Sequence, residues 1–235
     1  MALKWGLIGA MEEEIAALLS EMTDVTSETV AGRQYYTGKL GTADVTLTQC
    51  GVGKVCAAMA AQILIDRYRV DALVNTGVAG GLAPELQVGD IVLSESALHH
   101  DFDITAFGHV RGYIGGGGDD TVPTRFYADR ALMERFMQGA EHKTGHRLLC
   151  GTVASGDVFV DDTALKRQIR DEFSATVAEM EGAAVAQVAT ANGIPFLIVR
   201  EVSDLAENDA AECSDNFLEK AARRSAKLLI AMVNT

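Results

Sequence analysis

The chain alternates short, nearly continuous apolar runs with longer stretches in which apolar residues recur every three or four positions. The runs suit strands buried on both faces, and the three-to-four repeat suits helices with one buried face. This pattern predicts strands over Lys4 to Gly9, Arg33 to Leu40, Asp44 to Cys50 and Ala72 to Thr76, with helices over Glu12 to Met22 and Lys54 to Tyr68. The alternation continues with strands over Asp90 to His99, Arg147 to Ser155, Thr176 to Glu179 and Phe196 to Val202. Helices are predicted between them over Asp129 to Gln138, Thr163 to Asp171 and Gly182 to Asn192, with a last one over Asp215 to Met232, and a long loop over His100 to Arg125. Runs such as "ALVNT" and "PFLIV" set between helical segments point to an α/β fold, a three-layer α/β/α sandwich with a mixed, mostly parallel central sheet. No shift in composition marks a boundary, so one domain is expected over 1–235.

Composition narrows the partners. Hydrophobic residues make up 48% of the chain, enough for an extensive core. Lys and Arg number 20 against 33 Asp and Glu, a net charge of −13, which argues against nucleic acid or an anionic membrane as partner. The longest apolar stretch, near Val55 to Ile65, is interrupted by Gln62 and is too short to span a bilayer. The four cysteines form no CxxC pair, so neither a zinc site nor a disulfide scaffold is signalled, and reduced thiols in a cytoplasmic protein are expected. The glycines of "YIGGGGDD" (Tyr113 to Asp120) lack a GxGxxG or Walker frame and read as a loop. "GVGK" (Gly51 to Lys54) reads as a tight strand-to-helix turn that brings backbone close to something.

In α/β sheets the ligand crevice lies beyond the carboxyl ends of the strands. There the chain carries Glu12, Glu13 and Glu14, then "NTGVAGG" (Asn75 to Gly81), "AEMEG" (Ala178 to Gly182) and "REVSD" (Arg200 to Asp204). Each has an uneventful explanation alone, since acid in a first helical turn complements the macrodipole, glycines make turns, and Arg200 with Asp204 could be a buried ion pair. Together they gather carboxylates, one guanidinium and two glycine-rich turns at one edge of one sheet. That set suits cleavage of an N-glycosidic bond. One carboxylate deprotonates water, an acid protonates the leaving base, and further carboxylates accept the ribose hydroxyls. Asp204, expected to be buried at its strand end, is placed for the acid, because burial favours the protonated carboxyl. The three glutamates oppose phosphate as nucleophile: at about 4 Å and an effective dielectric of about 20, one carboxylate repels each unit of anion charge by roughly 4 kcal/mol. Neutral water is the expected attacker.

At these residues the chain resembles the bacterial 5′-methylthioadenosine/S-adenosylhomocysteine nucleosidases of the purine nucleoside phosphorylase type. "GLIGAMEEEIAAL", "GVGKVCAA", "NTGVAGGLAPELQVGDIVLS", "HDFDITAFG", "SGDVFV", "VAEMEGAAVAQVA" and "PFLIVREVSD" follow the family's order and spacing over nearly the whole length. The resemblance implies Glu12 as the residue that activates water, helped by Arg200, and Asp204 as the acid at purine N7 beside Ser203. It implies Glu181 as acceptor for the ribose hydroxyls, with Met180 under the sugar and Glu179 next to it. Phe159 and Val160 would meet adenine, while Val52, Val78, Ala79, Gly80 and Phe217 complete the pocket. It further implies a homodimer in which Phe107 and His109 of a partner subunit close the substrate's 5′ end. No metal and no organic cofactor is implied, and the partners are small 5′-substituted adenosines. Val78 departs from the family's frequent Ser, His109, Arg111 and Gly115 occupy a loop that usually carries Tyr and Pro, and Ser214 stands where an aromatic residue is common. Alternatives kept open are phosphorolysis, hydrolysis of a related nucleoside such as aminodeoxyfutalosine, and nucleoside binding without turnover.

Overall fold

The computed structural model describes residues 3–115, 118–140, 145–206 and 215–235, the side chains of 215–218 excepted. Its strands are β1 (Lys4–Gly9), β2 (Met22–Val30), β3 (Arg33–Leu40), β4 (Ala43–Gln49), β5 (Ala72–Gly81), β6 (Ile91–His99), β7 (Phe126–Tyr127), β8 (Leu148–Ser155), β9 (Val177–Glu179) and β10 (Phe196–Asp204). The helices are α1 (Glu12–Glu21), α2 (Lys54–Asp66), α3 (Arg130–Ala140), α4 (Thr163–Phe173), α5 (Gly182–Asn192) and α6 (Asp215–Val233), with one 3₁₀ turn at Thr105–Phe107.

Period-two alternation along the central strands builds the sandwich. Leu7, Val74 and Leu197 stand in register on β1, β5 and β10 and point to the face covered by α1, α3 and α6, where they meet Leu18, Phe136 and Leu229. Their neighbours Ile8, Leu73 and Ile198 point to the opposite face, against the alanine-rich α2 and α5. The small side chains of Ala57, Ala60, Ala61, Ala183 and Ala186 let those two helices lie close together. Each fully buried aliphatic side chain contributes about 1.5–3 kcal/mol of transfer free energy.

The central sheet is mixed. Parallel ladders join β4, β1, β5 and β10, and also β6, β8 and β9, while β2, β3 and β4 form an antiparallel meander at one side. One consequence of the pairing is absent from the sequence pattern. β5 pairs with β1 as far as Asn75 and then runs on to pair antiparallel with β9 at Gly80 and Gly81. Since β10 joins β5 to β6, and β8 joins β6 to β9, five strands close into a ring. Where β5 leaves β1, the sheet parts and a crevice opens at the strand ends.

The expected α/β/α sandwich is present, with extensions at several ends. "GVAGG" reads as a turn, yet it continues β5 because ladders to β10 and β9 hold it extended. β2 was not expected, and its burial explains why: seven of its nine positions are exposed, so no apolar alternation announces this edge strand.

Candidate active site

The crevice holds a cavity of about 220 Å³. From β1 and the start of α1 come Ala10, Met11 and Glu14; from β5, Val78, Ala79 and Gly80; from β9 and the turn after it, Ala178, Glu179, Met180 and Glu181; from β10, Ser203 and Asp204. Val52 and the segment Val158 to Val160 complete the wall. All of the lining residues expected from β5, β9 and β10 therefore meet at one cavity.

The first glutamate does not. Glu12 and Glu13 are exposed on the outer side of α1, whereas Glu14 is 8% exposed and lines the cavity, which corrects the assignment of Glu12. The reason is helical geometry. Met11 is the N-cap, and a glutamate three residues on reaches back over the first turn. Accordingly the N–H groups of Ala10 and Met11 donate to Glu14 Oε2 at 2.6 and 3.0 Å. Among the described residues, Glu14 Oε1 receives only the longer bond from the N–H of Val78, at 3.3 Å. Gly77 is needed for this seat, because a Cβ there would lie 2.4 Å from Glu14 Oε1.

Glu179 and Glu181 form the floor, with Arg200 beneath it. Arg200, 1% exposed, donates from Nε (3.1 Å) and Nη2 to Glu179 and from Nη2 to Asn75 Oδ1 at 2.5 Å. It does not line the cavity, so its effect on the pocket passes through its field and its hold on Glu179. Ser155 Oγ also donates to Glu179, and the N–H groups of Glu181 and Gly182 donate to Glu179 Oε2 at 3.2 and 2.8 Å. This network shapes the turn that projects Met180 and Glu181 into the cavity. Glu181 Oε1 in turn accepts the N–H of Gly53 at 2.8 Å, so the "GVGK" turn brings its backbone to a carboxylate. Gly53 adopts φ +97°, a conformation that favours glycine.

Three buried carboxylates thus share one buried guanidinium. Burial pushes Glu179 upward, but Arg200, Ser155 and the Gly182 N–H outweigh it and hold Glu179 below the usual carboxylate range. The other two receive less. Burial raises Glu14 against the pull of Arg200 and its N–H donors. Burial and the neighbouring Glu179 raise Glu181 to about 7.

Asp204, expected to be buried, is half-buried at the rim. Ser203 Oγ donates to its Oδ2 at 2.6 Å and the N–H of Ala206 to its Oδ1 at 2.7 Å, which fixes the carboxyl plane at the cavity. On the far wall, Asp157 accepts the N–H of Lys54 at 2.8 Å, and Asp101 accepts Lys54 Nζ at 2.6 Å and the N–H of Asp157 at 2.9 Å. These bonds clamp the segment bearing Phe159 and Val160 to the start of α2. Val160 is buried, while Phe159 is 54% exposed. Phe107 is 81% exposed on the 3₁₀ turn, and His109 packs on Tyr113 of its own loop with ring centroids 5.0 Å apart; neither lines this cavity. The side chain of Phe217, and Ser214, lie outside the described residues. Among the described residues no three His, Cys, Asp or Glu side chains converge as a metal site requires, and no helix is long and apolar enough to cross a membrane.

Sequence reasoning named Glu14 and Asn75 within their motifs without giving them a role, and passed over Ser155. Spacing does not separate the first from its neighbours, since Glu12 stands three and four residues before apolar Ile15 and Ala16 just as Glu14 stands four before Leu18; only the structure shows Glu14 buried with Ile15 and Leu18. Asn75 and Ser155 are polar residues inside apolar strand runs, where a buried side chain needs a partner.

An acid-walled cavity at the point where a mixed α/β sheet parts defines a protein of the nucleoside phosphorylase and hydrolase class. The chain belongs to the phosphorylase superfamily, whose family model matches residues 4–234. It is 42% identical over 232 residues to the 5′-methylthioadenosine/S-adenosylhomocysteine nucleosidase of Geobacillus thermodenitrificans (strain NG80-2), covering 98% of this chain and 96% of that protein. The solved structure of a 5′-methylthioadenosine/S-adenosylhomocysteine nucleosidase from Colwellia psychrerythraea 34H in complex with adenine superposes with a TM-score of 0.93, at 37% identity, covering 100% of this chain and 96% of the other. A futalosine hydrolase of Helicobacter pylori strain 26695 superposes with a TM-score of 0.92, at 31% identity, covering 100% and 98%.

Proposed function

We propose that the protein hydrolyses the N-glycosidic bond of 5′-methylthioadenosine and S-adenosylhomocysteine, releasing adenine and the 5′-substituted ribose. The observation that carries this reading is the convergence of Glu14, Glu181 and Asp204 on one cavity between Met180 and Phe159. Glu14, in the role first expected of Glu12, takes a proton from water as that water attacks the anomeric carbon. Glu181 accepts the ribose hydroxyls, for which it must be ionised. Asp204 delivers a proton to N7 as the bond to N9 breaks, and Ser203 holds its carboxyl. General base and general acid each supply about 10²- to 10⁴-fold. Arg200 acts as a positioning residue, since it contacts Glu179 and Asn75 rather than the cavity.

The same reading makes the protein a cytoplasmic homodimer acting in methionine salvage. Exposed Phe107 supports the subunit contact, as an aromatic ring that its own chain leaves uncovered. The test of function is incubation with methylthioadenosine, with and without inorganic phosphate, followed by chromatography. Phosphate-independent adenine release is expected. Adenine appearing only with phosphate, alongside ribose 1-phosphate, would overturn hydrolysis, and tight nucleoside binding without adenine would overturn catalysis. A second reading, hydrolysis of aminodeoxyfutalosine, draws on the likeness to the futalosine hydrolase. Competition among methylthioadenosine, S-adenosylhomocysteine, 5′-deoxyadenosine and aminodeoxyfutalosine separates the two.

A further inference from the structure

Behind Glu14, away from the main cavity, lies a second void of about 10 Å³, which is about the room one water molecule requires. Its polar walls are Glu14, Thr76 and Ser225; Gly77, Val78, Ala221 and Ala222 supply the rest, and Glu14 and Val78 divide it from the main cavity. Thr76 is 2% exposed, and its Oγ1 has no hydrogen-bond partner among the described residues. Folded proteins seldom leave a buried hydroxyl in that condition. Ser225, on the inner side of α6, is 6% exposed. Glu14 Oε1, engaged among the described residues only by the longer bond from Val78, lies against Gly77 on the wall of the same void.

We propose that one internal water bridges Glu14, Thr76 and Ser225, orienting the Glu14 carboxyl and stabilising its charged form, so that Thr76 and Ser225 are positioning residues for water activation. This rests on the reading of Glu14 as the base. The water donates one hydrogen to Glu14 Oε1, accepts the Thr76 hydroxyl and makes its third bond to Ser225, within the two to four partners an internal water takes. Val78 offers no hydroxyl on the substrate side, so support for the carboxylate comes from behind.

The charged groups that act on Glu14 are Arg200 of β10 and Glu181 at the start of α5, with the Cys50 thiol after β4 nearby. α1 adds the exposed Glu12 and Glu13. α6 presents Ala221, Ala222 and Ser225 to the void, and its Arg224 is paired with buried Glu201 of β10.

The test uses the full chain, methylthioadenosine as substrate, and the variants Thr76→Val, Thr76→Ser and Ser225→Ala. Removing a donor from the bridge leaves the charged carboxylate less supported, so Thr76→Val should move the acid limb of the kcat–pH profile upward by about one pH unit. Below that limb kcat falls roughly tenfold while KM stays within about twofold. Thr76→Ser restores the wild-type profile, which a packing defect would not predict. A crystal structure of the wild type should hold one water against all three side chains. An unmoved limb in folded Thr76→Val, or a dry void, overturns the bridge. Should Thr76→Val fail to fold, Ser225→Ala and the wild-type crystal decide the question in the same way. Full turnover by Glu14→Gln would overturn both the base assignment and this proposal, whereas an inactive Glu14→Gln with an unmoved limb overturns the bridge alone.

Discussion

Replacing Glu14 by Gln keeps the shape of the side chain and removes its charge and basicity. The amide oxygen can occupy the site of Oε2 and still accept the N–H groups of Ala10 and Met11. Its NH₂ then faces the N–H of Val78, donor against donor, where the carboxylate accepts at 3.3 Å. Losing that bond costs about 1 kcal/mol of stability. Against this stands the burial of the charge. Glu14 is an acid whose folded-state pKa is raised above its unfolded value, so the wild type loses stability as pH rises from the unfolded pKa through the folded one. Glu14→Gln escapes that loss. Its Tm relative to wild type should therefore climb as pH rises above the unfolded carboxyl's value, while kcat for adenine release falls by about 10²- to 10⁴-fold, or roughly 3–5 kcal/mol of barrier. Glu12→Gln, on the exposed side of α1, should keep kcat within about twofold, because an exposed site away from contacts has little effect. The assay is chromatography of adenine from methylthioadenosine, beside melting curves across pH. A crippled Glu12→Gln with an active Glu14→Gln would refute the assignment.

Further expectations concern the remaining acids and one glycine. Asp204→Asn should lower kcat by about 10²- to 10⁴-fold while nucleoside inhibitors still bind, as titration calorimetry would register; retained turnover would remove Asp204 from the acid role. With Glu181 at about 7, kcat/KM should fall about tenfold per pH unit below that value, as the carboxyl that accepts the ribose hydroxyls becomes protonated. In Glu181→Gln the part of this limb due to Glu181 should vanish, leaving the fall due to protonation of Glu14, and Tm at pH 8 should rise, since the wild type loses stability from its unfolded pKa near 4.5 up through 7; an unchanged limb would move the titration to another group. Gly77→Ala should cut kcat by roughly tenfold to a hundredfold in a protein of native circular dichroism, because the new methyl must displace Glu14 Oε1; full activity would show that the seat of Glu14 is not tight.

Much of this site was legible along the chain, because strand-end chemistry is written in local motifs. "AEMEG" and "REVSD" place Glu179, Met180, Glu181, Ser203 and Asp204 at strand ends, and those five line one cavity. The choice among three adjacent glutamates was not legible, because both Glu12 and Glu14 stand at helical spacing from apolar residues and only burial in the structure selects Glu14. Nor was the part played by Arg200. It ends an apolar run, as a substrate-facing residue would, yet Glu179 and Asn75 hold it beneath the floor.

The order of strands and helices, the two buried faces of the sheet and the acidic character of the strand ends follow from the sequence itself, since they depend on side-chain spacing of two or about 3.6 residues and on residue type. Tertiary structure alone decided that β5 leaves β1 to meet β9 and closes a ring, since backbone pairing between distant strands leaves no periodic trace. It also decided which carboxylates share the single Arg200 and which carry a raised pKa, because burial and distance, rather than identity, determine the energy of a charge.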